Sequence, residues 1–248
     1  MLIVIEGGDA AGKMTQSTRL AECLKGQRFA FPNYDSPTGR LILGHLKKDW
    51  ACRAVAGEPI EGDNLVFQCL QTVNRLEVVS RIKKALDAGP VVCDRYWQSA
   101  VIYGTLDGLD SDWLSAVQRD PMPEADINIL IDLPIEEGFK RRPERRDRYE
   151  VNREFMERVR AEYLRLWAPN APVGYFDANE TFESFNSGKK WFVVNGRYPA
   201  ERVHEIIFEI VNRSSATSSI CPGLSRECAC QGATNYHCRT HGSCDCEY

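Results

Sequence analysis

The stretch Leu2-Ile3-Val4-Ile5-Glu6-Gly7-Gly8-Asp9-Ala10-Ala11-Gly12-Lys13-Met14-Thr15 decides the fold. Its apolar opening reads as a short buried strand, its glycines as a tight loop, and the residues from Lys13 as the start of a helix. Strand, glycine loop and helix in that order form the setting of a phosphate-binding loop. Gly7 and Gly12 let the backbone turn so that successive N–H groups, those of Gly8, Ala10 and Ala11 included, can point inward at phosphate oxygens. The helix adds the positive end of its dipole, and Lys13 adds a mobile full charge. Met14 stands where a serine or threonine would ligate magnesium, and the nearest hydroxyl is Thr15. A glycine turn that binds nothing is the bland alternative; strand, spacing and lysine together speak against it.

The chain has 248 residues, 43% hydrophobic and 27% charged, with a net charge of −4. That length suits one α/β domain with an appendage. The charge balance gives no reason to expect a nucleic-acid partner or a membrane surface. No stretch approaches the ~20 apolar residues that span a bilayer. The expectation is a soluble, cytoplasmic protein.

Helical spacing follows the loop to Lys25, where Gly26 is a plausible stop. Arg28 to Phe31 reads as a strand ended by Pro32, and Leu41 to Leu46 as an apolar-patterned segment. Residues 50–62 look irregular. A long helix is expected from Asn64 to Leu86, with Leu65, Cys69, Val73, Leu76 and Val79 as its buried stripe and Phe67, Gln71 and Arg75 along another side. Val91 to Cys93 and Ile127 to Ile131 are continuous apolar runs, as in a parallel sheet covered on both faces. Pro134 can open a helix, Lys140 to Arg148 is densely basic, and Tyr149 to Trp167 returns to helical spacing. Residues 169–190 read as a loop or small hairpin, Trp191 to Val194 as the last strand, and Pro199 to Val211 as a helix. The alternation implies a doubly wound parallel α/β sheet flanked by helices. Ligands then gather at the carboxyl ends of the strands, where Gly7, Pro32, Asp94 and Asn195 all lie.

Taken in order, these motifs resemble the thymidylate kinases, of the nucleoside monophosphate kinase class of P-loop kinases. The resemblance covers residues 1 to about 211. It rests on Glu6 to Gln16, on Phe31-Pro32 with Tyr34, and on Asn74-Arg75. It rests further on Asp94-Arg95-Tyr96 with Ser99, Tyr103 and Gly104, and on Asp147-Arg148-Tyr149-Glu150. It implies transfer of the γ-phosphoryl group of ATP to thymidine monophosphate, with magnesium, in a homodimer for which the long helix could serve as interface. It also implies a site at numbered positions of this chain. The loop residues Gly7 to Thr15 hold the donor nucleotide, with Asn195 near it. Phe31, Pro32, Tyr34, Arg75, Ser99, Tyr103 and Tyr149 surround the acceptor, and Arg95 orients the acceptor phosphate.

Several positions carry their own expectations. Magnesium prefers hard oxygens, and the Met14 thioether is soft, so the metal would lean on phosphates, water and Asp9, with Asp94 and Glu150 as further donors. Some family members place an extra arginine after the loop aspartate, where this chain has Ala10. An arginine on the transferring group is typically worth ~10³–10⁵ in rate. The basic stretch matches the mobile lid of members without that loop arginine, and Arg142, Arg145 and Arg146 are its candidates. Gln71 stands where the family stacks a phenylalanine on thymine, a loss of roughly 1–3 kcal/mol. Phe67, one turn earlier, could partly substitute, although ordinary core packing is the favoured reading for it. The altered pocket leaves another or modified deoxynucleotide open as acceptor, and a weakly catalytic nucleotide-binding module is a further alternative.

Six of the ten cysteines fall in the final 28 residues. A kinase domain over 1–213 would be followed by a linker over 214–220 and a separate segment over 221–248. Cys221, Cys228, Cys230, Cys238, Cys244 and Cys246, with His237 and His241, make zinc-stabilised folding the leading expectation for a segment too short for its own core. Disulfides, another metal and a disordered thiol-rich tail stay open.

Overall fold

The apolar run after Met1 becomes β1 (Leu2–Gly7), buried along its whole length. It lies central in the sheet of a computed structural model that describes residues 1–47, 63–144, 149–170, 181–186 and 189–217. After β1 come α1 (Lys13–Cys23), β2 (Gln27–Ala30), α2 (Pro37–Leu46), α3 (Asp63–Ala88), β3 (Val91–Asp94), α4 (Trp97–Leu106) and α5 (Ser111–Arg119). The chain continues through β4 (Ile127–Asp132), α6 (Ile135–Arg141), α7 (Arg153–Trp167), β5 (Thr181–Asn186), β6 (Lys189–Asn195) and α8 (Ala200–Thr217).

The strand order is β2-β3-β1-β4-β6-β5. All pairings are parallel except the β5–β6 hairpin. Helices between parallel neighbours cover both faces, as a doubly wound sheet requires. Alternation along β1 splits the core. Ile3 and Ile5 pack with Leu20 of α1 and Val203, Ile206 and Ile207 of α8. Leu2 and Val4 face the other way, onto Val78, Ile82 and Ala85 of α3. On that side, towards β6, Leu130 and Val193 meet Ile102 of α4 and Val159 and Tyr163 of α7. The register places Ile5 opposite Asp94 and Gly7 opposite Ile131. The loops after β1, β3 and β4 therefore leave the sheet side by side.

α3 corrects the sequence reading. Its existence was expected, but the buried face is the opposite one. Leu65, Val73 and Leu76 are 42–44% exposed, and Cys69 is exposed too. Only Val79 of the expected stripe packs partly against the core. The buried face carries Phe67, Gln68, Gln71, Asn74, Arg75, Val78 and Ile82. Both faces hold apolar residues, so periodicity could not choose between them; the core face is the more polar because it borders the cleft.

Other departures are local. Two helices, α4 and α5, fill the stretch between β3 and β4, where the sequence analysis names no element. α7 begins at Arg153, with the Asn152 side chain accepting from the Phe155 N–H. That cap fixes the start four residues after Tyr149. α8 runs to Thr217, into the expected linker. Residues 50–62 and the cysteine-rich segment 221–248, with its zinc expectation, lie outside the described residues.

Candidate active site

The loop after β1 has the expected strand–loop–helix geometry. Gly7 has φ +147°, and a Cβ there would sit 2.4 Å from the Ile131 carbonyl of β4, so only glycine lets β1 end this close to its neighbour. Gly12, at φ +96°, is the left-handed entry to α1. Ala10 holds φ +59° without being glycine, a strained conformation of the kind that clusters at ligand sites. Ala11 is buried and Thr15 is exposed. Met14 points outward, 67% exposed.

Lys13 is 8% exposed, and its Nζ donates to the Gly8 carbonyl at 2.6 Å. Burial and the charge of Arg95 pull its pKa down to about 8, against the opposing pull of Asp9, Asp94 and Glu6.

Asp9 and Arg95 meet across the cleft. Arg95 Nη2 donates to Asp9 Oδ1 at 2.5 Å. Burial pushes the Asp9 carboxyl up, but Arg95, Lys13 and Arg142 outweigh it and hold it below the usual carboxylate range. Burial disfavours the charge on Arg95, yet Asp9 and its other neighbours raise its pKa well above normal. Arg95 is also in a strained conformation, at φ +62°. Tyr103 stands between the partners, its hydroxyl 3.5 Å from Asp9 Oδ2 and its ring 5.8 Å from the Arg95 guanidinium carbon. The loop after β1 and the arginine after β3 are thus joined by a direct contact.

The other expected residues divide. Phe31, joined to Pro32 by a cis peptide bond, is buried. Arg75 lies over the Phe31 ring at 5.6 Å. Arg75 is 3% exposed and largely engaged within the protein. Its Nε and Nη2 donate to the Tyr96 carbonyl, and its Nη1 donates to the Gln71 carbonyl and Gln118 Oε1. Burial is the main reason its pKa falls to about 10, which leaves it charged at neutral pH. Gln71 is 9% exposed and Tyr34 is 40% exposed. The Ser99 hydroxyl donates to the Tyr96 carbonyl. Phe67 follows the core-packing reading and not the stacking one: it is 2% exposed, stacked on His45 at 4.3 Å, and belongs to the core between α2 and α3. Tyr149 is buried as well, with its hydroxyl donating to Asp107 Oδ2.

Of the basic stretch, Arg142 reaches the cleft. It lines a depression with Asp9, Ala10, Phe139 and Glu150, and it forms an ion pair with Glu150. Arg145 and Arg146 lie outside the described residues. Asp94, considered as a metal donor, is bound by Arg28 at 2.6 Å. Among the described residues no cluster of three or more metal-ligating side chains occurs. Asn195 is buried, its side chain accepting from the Arg197 N–H.

Four residues have no role in the site by the sequence reading, although Glu6 and Asn74 stand within its quoted motifs. Asn74 fastens the 33–38 loop to α3, accepting from the Asn33 N–H and donating to the Asn33 carbonyl, Ser36 Oγ and Thr38 Oγ1. Arg141 donates to the Gly196 carbonyl at 2.6 Å, tying the end of α6 to the turn after β6. Glu6 and Tyr163 lie behind Arg95. A carboxylate ending an apolar strand was a legible signal for Glu6; nothing in the sequence marks Tyr163.

The thymidylate kinase family model matches residues 5–188. The chain belongs to the thymidylate kinase family. It is 35% identical over 197 residues to a Thermococcus kodakarensis protein named "Probable thymidylate kinase", covering 75% of this chain and 94% of that one. A Pyrococcus abyssi protein of the same name is 31% identical over 220 residues, covering 84% and 94%. The fold is also that of thymidylate kinase from Candida albicans, with a TM-score of 0.68 at 24% identity over 86% of this chain and 92% of that one. The family is one of phosphotransferases, and no helix among the described residues is long and apolar enough to cross a membrane.

The Lys13 environment sets a pH limit. Its charged form serves phosphate, and the folded pKa lies near 8 rather than 10.5. For free enzyme, kcat/KM for ATP falls as pH rises through about 8, because Lys13 is then losing its proton. An initial-rate series from pH 6.5 to about 9.5 reads this, and a flat profile across that range contradicts it.

Proposed function

We propose that this thymidylate kinase family member transfers the γ-phosphoryl group of ATP to thymidine monophosphate, supplying the diphosphate for deoxynucleotide synthesis. The observation that carries the reading is the Asp9–Arg95 contact at 2.5 Å, which joins a phosphate-binding loop to an arginine at the end of the neighbouring strand. Phosphoryl transfer needs positioning and charge neutralisation more than covalent chemistry by the protein. Gly8, Ala10, Ala11 and Gly12 offer backbone N–H groups to the donor phosphates, and Lys13 leaves the Gly8 carbonyl for a phosphate oxygen. Arg95 turns its guanidinium from Asp9 to the acceptor phosphate. Arg142, just past the end of α6, brings positive charge to the transferring group, and Arg145 and Arg146 are candidates from the sequence alone.

The donor set fits magnesium as a partner of the phosphates. The ion usually takes one or two carboxylates, and Asp9, with its side chain 25% exposed in the cleft, offers hard oxygens. Met14 offers none, Asp94 is held by Arg28, and Glu150 pairs with Arg142. When bound, magnesium supplies neutralisation of the phosphate oxygens.

Tyr103, beside Asp9, borders the sugar, and Phe31, Gln71, Arg75 and Ser99 border the base. Family membership favours thymidylate over another deoxynucleotide despite Gln71, and the convergent charge favours a working kinase over a passive nucleotide binder. The cysteine-rich segment 221–248 is read as a separate zinc-binding unit on its ligand chemistry alone.

The outer face of α3 supports a homodimer. Leu65, Cys69, Val73 and Leu76 line it. Between Asn64 and Leu76 the one charged side chain is Arg75, which is buried. Loss of charge with retention of apolar side chains is what an interface core requires.

Two measurements test these readings. A coupled ADP-release assay over a panel of deoxynucleoside monophosphates is expected to give the highest kcat/KM with thymidylate; turnover confined to a different base, or none despite ATP binding, contradicts the assignment. For the dimer, Val73→Glu with Leu76→Glu is expected to halve the mass in light scattering while leaving a folded protein. An unchanged dimer mass, or a monomeric parent protein, sinks the α3 interface.

A further inference from the structure

Glu6 is fully buried, at a strand position whose neighbours Leu2 and Val4 face the apolar core under α3. A carboxylate there is strongly unfavourable unless its oxygens are bonded. They are. Oε1 accepts from the Tyr96 N–H at 2.8 Å and the Ser99 N–H at 3.3 Å, and Oε2 accepts from the Tyr163 hydroxyl at 2.9 Å.

Those two amides belong to the start of α4. Tyr96 is the residue before its first turn and makes no side-chain cap of its own. Ser99 carries an N–H of the kind a capping side chain takes. Glu6 therefore caps α4 from another strand, with its negative charge at the positive end of the helix dipole. The Arg95 N–H donates to the Ile5 carbonyl at 2.9 Å, and the next N–H goes to Glu6. Consecutive amides on either side of the strained Arg95 backbone are thus both held by β1. The side chain is held too: Arg95 Nη1 lies 3.5 Å from the Tyr163 oxygen, a long contact, while Nη2 binds Asp9. Burial, followed by the charge of Glu6, raises the Tyr163 pKa well above normal, so the hydroxyl keeps the proton it gives to Glu6. Its lone pair faces Arg95.

We infer that Glu6 is a positioning residue for the acceptor side of the reaction: it fastens the turn that carries Arg95 and, through the Tyr163 hydroxyl, aims the guanidinium at the acceptor phosphate. The inference rests on the reading of Arg95 as the acceptor-phosphate ligand. Glu6 touches neither substrate. Its effect is directional, because Tyr163 steadies Nη1 while Nη2 exchanges Asp9 for phosphate. The Glu6→Gln amide can still accept both backbone N–H bonds through its oxygen. Its NH₂ then meets the Tyr163 oxygen, and the hydroxyl proton turns towards Arg95, a donor facing a donor.

The test is steady-state kinetics on full-length Glu6→Gln, Tyr163→Phe, the double variant and Arg95→Ala, with Tm measured for each. Glu6→Gln and Tyr163→Phe are each expected to raise the thymidylate KM by about tenfold or more, as for a lost hydrogen bond to a charged group. The ATP KM stays within about twofold, and the double variant is no worse than Glu6→Gln because the pair acts as one unit. Tyr163→Phe removes only a hydroxyl, so it reads the chain even if the Glu6 variant fails to fold. Wild-type acceptor KM in Tyr163→Phe, or equal rises in both KM values, overturns the inference. If Arg95→Ala raises the acceptor KM and neither other variant does, this inference alone falls. If Arg95→Ala leaves it unchanged, the acceptor reading falls and takes this inference with it.

Discussion

The carboxylate of Asp9 and the guanidinium of Arg95 close the cleft between two adjacent parallel strands, and the rest of the site depends on that closeness. β1 and β3 are hydrogen-bonded neighbours with Ile5 opposite Asp94. Whatever follows their carboxyl ends must emerge side by side. A phosphate-binding loop follows one and an arginine follows the other. The sheet register, more than any single contact, makes a meeting of two phosphate chains geometrically available.

Cations gathered at the ends of β1 and β3 repel one another, and the protein offsets this with carboxylates set among them. Asp9 faces Lys13, Arg95 and Arg142, while Asp94 takes Arg28. Glu6 also favours the charged forms of Lys13, Arg75 and Arg95. The depressed Lys13 pKa has burial as its first cause and the charge of Arg95 as its second, and the acidic groups only partly oppose them.

The glycine loop and the parallel sheet were legible because each has a local signature: residues fixed by backbone geometry, and apolar runs too short for anything but buried strands. The faces of α3 were not, since a helix apolar on both sides gives periodicity nothing to choose between. Phe67 illustrates the limit at one residue. Its spacing put it in line with Gln71 and Arg75, and it does lie on that face. Whether an aromatic on that face meets substrate or His45 depends on α2, which comes from elsewhere in the chain. Arg75 has the same lesson in polar form: a base-reading arginine and an arginine holding the Tyr96 carbonyl look identical in sequence. Tyr163 was unreadable because its partners, Glu6 and Arg95, lie 157 and 68 residues away.

The proposed reaction needs donor and acceptor phosphates to lie end to end between Lys13 and Arg95. Inhibition by an adenosine–oligophosphate–thymidine conjugate tests this most directly, because one molecule must fill both halves of one cleft. Competition with ATP and with thymidylate alike is the expected result. Competition with one substrate that leaves the KM of the other unmoved would contradict it.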